Sequence, residues 1–222
     1  MLSFSTPSWQ TAVLTQNGGL LGSSGKARLA SLIVPRVYLS DYFTARDPKQ
    51  LSRLKITHVV SVLDREPTIP DYIPDDHKLR ISIADRADAD IQQYLTQTTD
   101  FITAALAENE ENNVLVHCFQ GVSRSATVVC AYIVATTTLT ATESITYAQA
   151  KRSVVCPNLG FRKQLQAWSE QFYGNNAKRP GGSRVSKMTE GIAGRIREFK
   201  AAAGAPPTLK PKVAPPKPVV SC

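Results

Sequence analysis

Apolar and polar side chains alternate with a period of two over residues 78–83, Lys-Leu-Arg-Ile-Ser-Ile, the pattern of a strand with one face on a core. Two further stretches, 32–39 and 58–63, are rich in Val, Ile, Leu and Tyr and also read as strands. Between them, 47–55 has helical composition, with Leu51 and Leu54 able to face a core. The clearest helix lies further on. Asp90 is expected as its N-cap with Gln93 at capping-box spacing, after which Ile91, Tyr94, Leu95, Phe101, Ile102, Ala105 and Leu106 mark one face. Residues 113–117 read as a short buried strand, and 124–137 as a helix apolar on nearly every side, which belongs at a domain centre. Two more helices are expected over 142–152 and 161–172, with Pro157-Asn158-Leu159-Gly160 as the break between them. Strands alternating with helices predict an α/β domain: a central, mainly parallel twisted sheet flanked by helices, with a ligand site at the strand carboxyl ends.

Composition divides the chain of 222 residues, 42% of them apolar, into three parts. Residues 1–28 read as a flexible leader with Ser/Thr/Gly clusters, 29–174 as the folded domain, and 175–222 as a largely disordered arm. The formal net charge of +8 would suggest nucleic-acid binding if it lay on the domain, but residues 1–174 carry 16 basic and 16 acidic groups. All the excess sits in the arm, with 10 basic and 2 acidic groups and seven of the fourteen prolines. The arm is therefore expected to contact acidic surfaces or an adaptor, with nucleic acid disfavoured. Within it, 186–203 could form a short basic amphipathic helix, and Lys212–Pro218 matches an SH3-type polyproline ligand weakly. The least interrupted apolar stretch, 126–135, falls short of the ~20 residues a membrane span needs, so no transmembrane segment is expected. The four cysteines form no C-x-x-C pair, which argues against a disulfide framework or structural zinc and points to a cytoplasmic or nuclear setting.

The chemistry concentrates in His117-Cys118-Phe119-Gln120-Gly121-Val122-Ser123-Arg124-Ser125, which joins the 113–117 strand to the buried helix. Free backbone N–H groups at such a junction converge on one point and make an anion site. A free thiol is only about 3% ionised at pH 7, and those N–H groups, the helix dipole and Arg124 should favour the thiolate of Cys118. Arg124, with its planar fork, can grip two oxygens of a tetrahedral oxyanion. Gly121 permits the positive φ that aims successive amides inward. The loop is then Phe119 to Arg124, and an ATP-type loop is excluded because no G-K-[ST] follows.

These nine residues fit H-C-x5-R-[S/T] and resemble the cysteine-dependent protein phosphatases, the G-x-S-R-S ending being similar to the dual-specificity branch and its atypical small members. Asp85, which follows the 78–83 strand, stands where that family has its general acid/base. Asp88 reads better as a solvated loop residue and Asp90 as a helix cap. Residues 157–165 resemble the family's P-N-x-G-F-x-x-Q-L segment and Val37-Tyr38-Leu39-Ser40 its opening strand, with Ser40 in place of a common Gly at a local turn. The resemblance implies hydrolysis of phosphotyrosine and phosphoserine or phosphothreonine through a phosphocysteine, without metal or cofactor. It gives Cys118 the role of nucleophile, Arg124 that of phosphate holder, Ser125 that of assisting the departing thiolate, and His117 and Asn158 supporting roles. Phe119, Gln120, Val122 and Ser123 include no lysine, which favours phosphoprotein substrates over phosphoinositides. A non-catalytic phosphoprotein-binding module, a lipid or RNA phosphatase, and redox control through Cys130 or Cys156 are the other readings.

Overall fold

The computed structural model describes residues 29–173. The expected leader, the basic arm, its 186–203 helix and the Lys212–Pro218 segment lie outside the described residues. Five strands form one sheet in the order β1-β2-β5-β3-β4. They are β1 (Ser31–Val34), β2 (Val37–Ser40), β3 (Ile56–Val62), β4 (Lys78–Ile81) and β5 (Asn113–His117). Pairing is parallel from β2 through β5 and β3 to β4, and antiparallel only between β1 and β2 at the edge. The mainly parallel, helix-flanked sheet is the one the alternation predicts.

The 32–39 run departs from a single strand. Pro35 lacks an N–H for a ladder and Arg36 takes a φ of 66°, so the chain reverses there and the run becomes the β1–β2 hairpin. Arg36 is held in that conformation by donating to the Leu106 and Asn109 carbonyls at 3.0 and 2.9 Å. Two short elements escape the pattern altogether: helix α1 (Tyr42–Ala45) and a 3₁₀ turn (Asp75–His77). Each is under two turns, too short to show periodicity. Strand β4 ends at Ile81, before the expected Ile83, as the chain turns toward the 83–90 loop.

Helix α2 (Pro48–Arg53) starts with Pro at its first turn, capped by Asp47 accepting from Lys49 and Gln50 N–H. Helix α3 (Gln92–Glu108) has Ile91, not the expected Asp90, at its N-cap, and the expected capping box changes with it. Asp90 Oδ1 does accept from Gln93 N–H at 3.3 Å, but Gln93 donates its amide to the Asp90 carbonyl instead of accepting from the Asp90 N–H. The remaining first-turn donors, Ile91 and Gln92 N–H, go to Gln164 Oε1 at 2.8 and 3.0 Å. A residue more than seventy positions away completes the cap.

Helix α4 (Arg124–Thr136) is buried from Arg124 through Val134, as its all-round apolar sequence requires. Helices α5 (Ala141–Lys151) and α6 (Leu159–Tyr173) pack beside it. Thr140 and Glu143 form a complete capping box on α5. Helix α6 begins at Leu159, two residues earlier than its apolar periodicity indicates, because Asn158 Oδ1 caps it by accepting from Phe161 N–H at 2.9 Å. Gly160 is obligatory there: a Cβ on it would lie 1.8 Å from the Ala87 carbonyl oxygen. That close approach brings the start of α6 against the 83–90 loop. The main core lies among β2, β3, β5, α3, α4 and α6, and a smaller one beneath α2 holds Leu51, Val59 and Leu115.

Candidate active site

The parallel strands end together on one side of the sheet, and the loop from β5 to α4 starts there. His117, the last residue of β5, is wholly buried and accepts from or donates to Ser61 of β3 through Nε2 at 2.8 Å. Burial pushes its pKa down to about 4, outweighing the opposing contact with the Cys118 backbone, so the ring is neutral at physiological pH. It ties the loop entrance to the neighbouring strand as a hydrogen-bonding group, not as a charge.

Cys118 follows, 1% exposed. Its Sγ accepts from Gly121 N–H at 3.2 Å and from Ser125 Oγ at 3.1 Å. One donor comes from the loop and the other from the first turn of α4, and two donors directed at sulfur are what a thiolate needs for solvation. Gly121 adopts a φ of +67°, and a Cβ on it would lie 2.5 Å from the Ser40 carbonyl oxygen and 3.0 Å from Arg152 Nη2. Ser40 thus acts differently from the local-turn role expected of it: it is a buried strand residue whose backbone backs the loop.

Arg152 carries no signal in sequence. It is the C-cap residue of α5 and donates from Nε to the Gly121 carbonyl at 3.1 Å, and from Nη1 to Leu29 O and Ser31 Oγ, both at 3.3 Å. Burial lowers its pKa while Asp41 and Cys118 oppose that fall, so a cation stands behind the loop within electrostatic reach of the sulfur.

Arg124 is only 6% exposed. Nη1 donates to the Ile83 carbonyl at 3.0 Å and lies 3.6 Å from Asp64 Oδ1, which orients the guanidinium from behind. Nε is 3.7 Å from Asp85 Oδ2 and makes no hydrogen bond. A buried guanidinium N–H without an acceptor is costly unless an oxyanion visits it.

Asp85 meets the loop from the far side. Its Oδ1 accepts from Ser123 Oγ at 2.7 Å and from Asn158 Nδ2 at 2.9 Å. Asn158 in turn donates its backbone N–H to Ser123 Oγ at 3.1 Å. Ser123, read from sequence only as a variable loop residue, therefore joins the carboxylate to the loop. Asp88 and Asp90 are held elsewhere, Asp88 by Arg86 in two hydrogen bonds of 2.9 and 2.7 Å at the surface and Asp90 by the Gln93 N–H just before α3. A cavity of about 500 Å³ opens here, lined by Asp85, Phe119, Gln120, Arg124, Asn158 and Arg162 among others.

The other thiols differ from Cys118. Cys130, inside α4, has its pKa pushed up to about 12 by burial, which holds it as the neutral thiol. Cys156 is half-buried, lines the cavity, and accepts from Arg162 Nη2 at 3.2 Å.

Among the described residues, one group has donor types suited to a metal: His58, His77 and Glu108 each offer an atom within 4.8 Å of the others. The two imidazoles stack face to face, centroids 4.0 Å apart and planes 14° from parallel. A ring-nitrogen lone pair lies in the ring plane, so stacked rings send their lone pairs side by side instead of toward one ion. Burial and the neighbouring His77 lower the His58 pKa. The group is a packed ring pair edged by Glu108, 3.6 Å from His58 Nε2.

Comparison with known proteins agrees with this geometry. Residues 37–171 match the family model described as dual specificity phosphatase, catalytic domain. The chain is 38% identical over 135 residues to dual specificity protein phosphatase 15 of Rattus norvegicus, covering 60% of this chain and 55% of that one. It is 35% identical over 160 residues to dual specificity protein phosphatase 22 of Mus musculus, covering 67% and 84%. The match thus spans a little over half the length of the rat relative. Among solved structures, that of DUSP15 superposes with a TM-score of 0.62 at 29% identity, covering 74% of this chain and 97% of that one. A human tyrosine phosphatase-like serine/threonine/tyrosine-interacting protein superposes with a TM-score of 0.61 at 29% identity, covering 66% and 99%.

Proposed function

The chain belongs to the dual specificity phosphatase family, and from that premise we propose that it hydrolyses phosphotyrosine and phosphoserine or phosphothreonine in proteins through a phosphocysteine. One observation carries the reading: within one loop, a sulfur solvated by Gly121 N–H and Ser125 Oγ shares the site with a buried Arg124 Nε that has no hydrogen-bond acceptor. In the first step the Cys118 thiolate attacks phosphorus in line; the S–P bond forms and the bond to the leaving oxygen breaks. Arg124 and the loop N–H groups of residues 119–124 hold the charge on the three equatorial oxygens. Asp85, protonated, gives its proton to the leaving oxygen. In the second step Asp85 takes a proton from water as that water attacks phosphorus and the S–P bond breaks. The Ser125 hydroxyl, 3.1 Å from Sγ, stabilises the departing thiolate.

Asn158 and Ser123 act through Asp85 and are positioning residues, as His117 is for the loop. A protein phosphate is favoured over a phosphoinositide because Phe119, Gln120, Val122 and Ser123 bring no lysine to the mouth. The three cysteines among the described residues are free thiols, which supports a cytoplasmic or nuclear setting. The net charge of the 175–222 arm supports contact with acidic surfaces.

The test is phosphate release from matched phosphotyrosine and phosphothreonine peptides in EDTA. Wild type should turn over both, and Cys118→Ser neither. Tight binding of both peptides by wild type with no release would instead favour a binding-only module, and release from lipid or RNA phosphates alone would reassign the substrate.

A further inference from the structure

Beside the catalytic mouth, three aromatic rings gather at the surface instead of in the core. Phe43 is 45% exposed and Phe119 37%. Their ring centroids lie 6.2 Å apart. Tyr42 stacks against Phe119 at 6.3 Å with planes 25° apart and meets Phe43 edge-on at 5.7 Å. The cluster is held in place. Tyr42 N–H donates to the Phe119 carbonyl at 3.2 Å, and the Tyr42 hydroxyl shares a hydrogen bond of 3.1 Å with Thr68 Oγ1. Two guanidiniums flank the rings, Arg65 at 5.3 Å from the Phe119 centroid and Arg46 at 5.7 Å from that of Tyr42.

Position gives this patch its meaning. Phe119 directly follows Cys118 and lines the same cavity as Asp85 and Arg124, so a polypeptide whose phosphate enters that cavity meets the Phe119 ring at its rim, with Tyr42 and Phe43 packed beside that ring. Rigid aromatic surfaces give large contact area at little entropic cost, and clustered exposed rings beside a site mark recognition. Positive charge at the rim selects acidic neighbours; Asp64 Oδ1, 3.7 Å from Arg65 Nε, offsets part of one of the two charges.

We propose that Tyr42, Phe43 and Phe119 form a recognition platform for phosphopeptides that carry an aromatic or large aliphatic side chain next to the phosphorylated residue, with acidic residues beyond it for Arg46 and Arg65. The platform rests on the phosphatase reading and adds its substrate class: an extended, apolar-flanked, acidic phosphopeptide.

The experiment uses the full chain and two phosphotyrosine peptides that differ only in phenylalanine or serine beside the phosphotyrosine, with a small aryl phosphate as reference. Wild type should favour the phenylalanine peptide about tenfold in kcat/KM, mostly through KM. Phe43→Ala should erase that preference and leave the aryl phosphate unchanged. Arg65→Gln should weaken discrimination for an added flanking aspartate by about threefold. Equal kcat/KM for the two peptides in wild type overturns the platform, as does a Phe43→Ala loss of the same size on the aryl phosphate. If Phe43→Ala instead abolishes self-association while peptide kinetics stay put, the patch is a contact between copies and the proposal fails. Failure of the phosphatase reading looks different: no substrate, the aryl phosphate included, would turn over. The affinities of Cys118→Ser for the two peptides then decide the platform separately, and equal affinities overturn it.

Discussion

The two ends of the sheet each gather polar, chemistry-bearing side chains, and only one of them makes a site. At the carboxyl ends of β3 and β5, Ser61, His117, Cys118, Ser123 and Arg124 converge because parallel strands end together and a helix begins where β5 stops. At the opposite end, His58, His77 and Glu108 have ligand-type atoms just as close together. There the rings stack and no backbone donors converge with them. Proximity of reactive groups is common to both ends. What separates them is direction: the Gly121 N–H and the Ser125 hydroxyl aimed at one sulfur, against imidazole planes packed flat.

Removing the nucleophile should show the largest contrast. Cys118→Ser is expected to lower kcat by about four orders of magnitude or more and leave the thermal transition nearly unchanged. Residual turnover within a hundredfold of wild type would place the chemistry elsewhere. Next in size is the acid/base. Asp85→Asn should cost about 10²–10⁴-fold in kcat/KM with a poor leaving group and much less with a good one, since kcat/KM reports the first step and only the poor leaving group needs the proton there. Asn158→Ala should reproduce a fraction of that loss with the same leaving-group dependence, because its amide holds Asp85 Oδ1 at 2.9 Å. A loss indifferent to the leaving group would deny Asp85 its role.

The buried neutral His117 sharpens the comparison through pH. Its pKa in the fold is about 4 against an ordinary 6.5, so between those values the unfolded chain binds a proton that the folded one does not. Stability on this account is full above about 6.5 and falls as pH drops toward about 4, by at most about 3 kcal/mol. His58, also lowered, adds a loss in the same direction. Urea midpoints for wild type and His117→Asn across that range provide the check. Identical pH slopes for the two proteins would contradict the buried neutral ring.

Arg152→Met should lower kcat/KM about tenfold and slow alkylation of Cys118 at neutral pH, with partial recovery in Arg152→Lys. Loss of stability with unchanged alkylation would reduce Arg152 to a structural tie. The smallest effect belongs to the far end: His77→Ala should alter kcat/KM less than about twofold, and added zinc should produce no change that depends on His77. A zinc-dependent shift in wild type that disappears in His77→Ala would show that the ring pair opens into a metal site.

The legible part of this molecule is the part written locally. The loop from His117 to Ser125 reveals itself because its groups stand at fixed offsets across one strand–helix junction, and α4 because all its sides are apolar. The hairpin at Arg36 was hidden because its turn has neither Gly nor Asn, and the residue at positive φ is stabilised by carbonyls some seventy positions away. Arg152 behind Gly121, Asp64 behind Arg124, and Gln164 over the first turn of α3 are likewise contacts across 31, 60 and 73 positions, invisible until the chain is folded. Asn158 fell between these cases. Its place in the chain was conspicuous, but that one side chain caps α6 and also holds Asp85 follows only from the close approach at Gly160.

The central claim is that the converging end of the sheet forms a covalent bond to phosphorus at Cys118. Rapid acid quench of wild type with a radiolabelled phosphotyrosine peptide, followed by peptide mapping, tests it most directly. The account predicts label on the peptide containing Cys118 in wild type, and none in Cys118→Ser. Phosphate release by wild type without label on that cysteine at any quench time would contradict it.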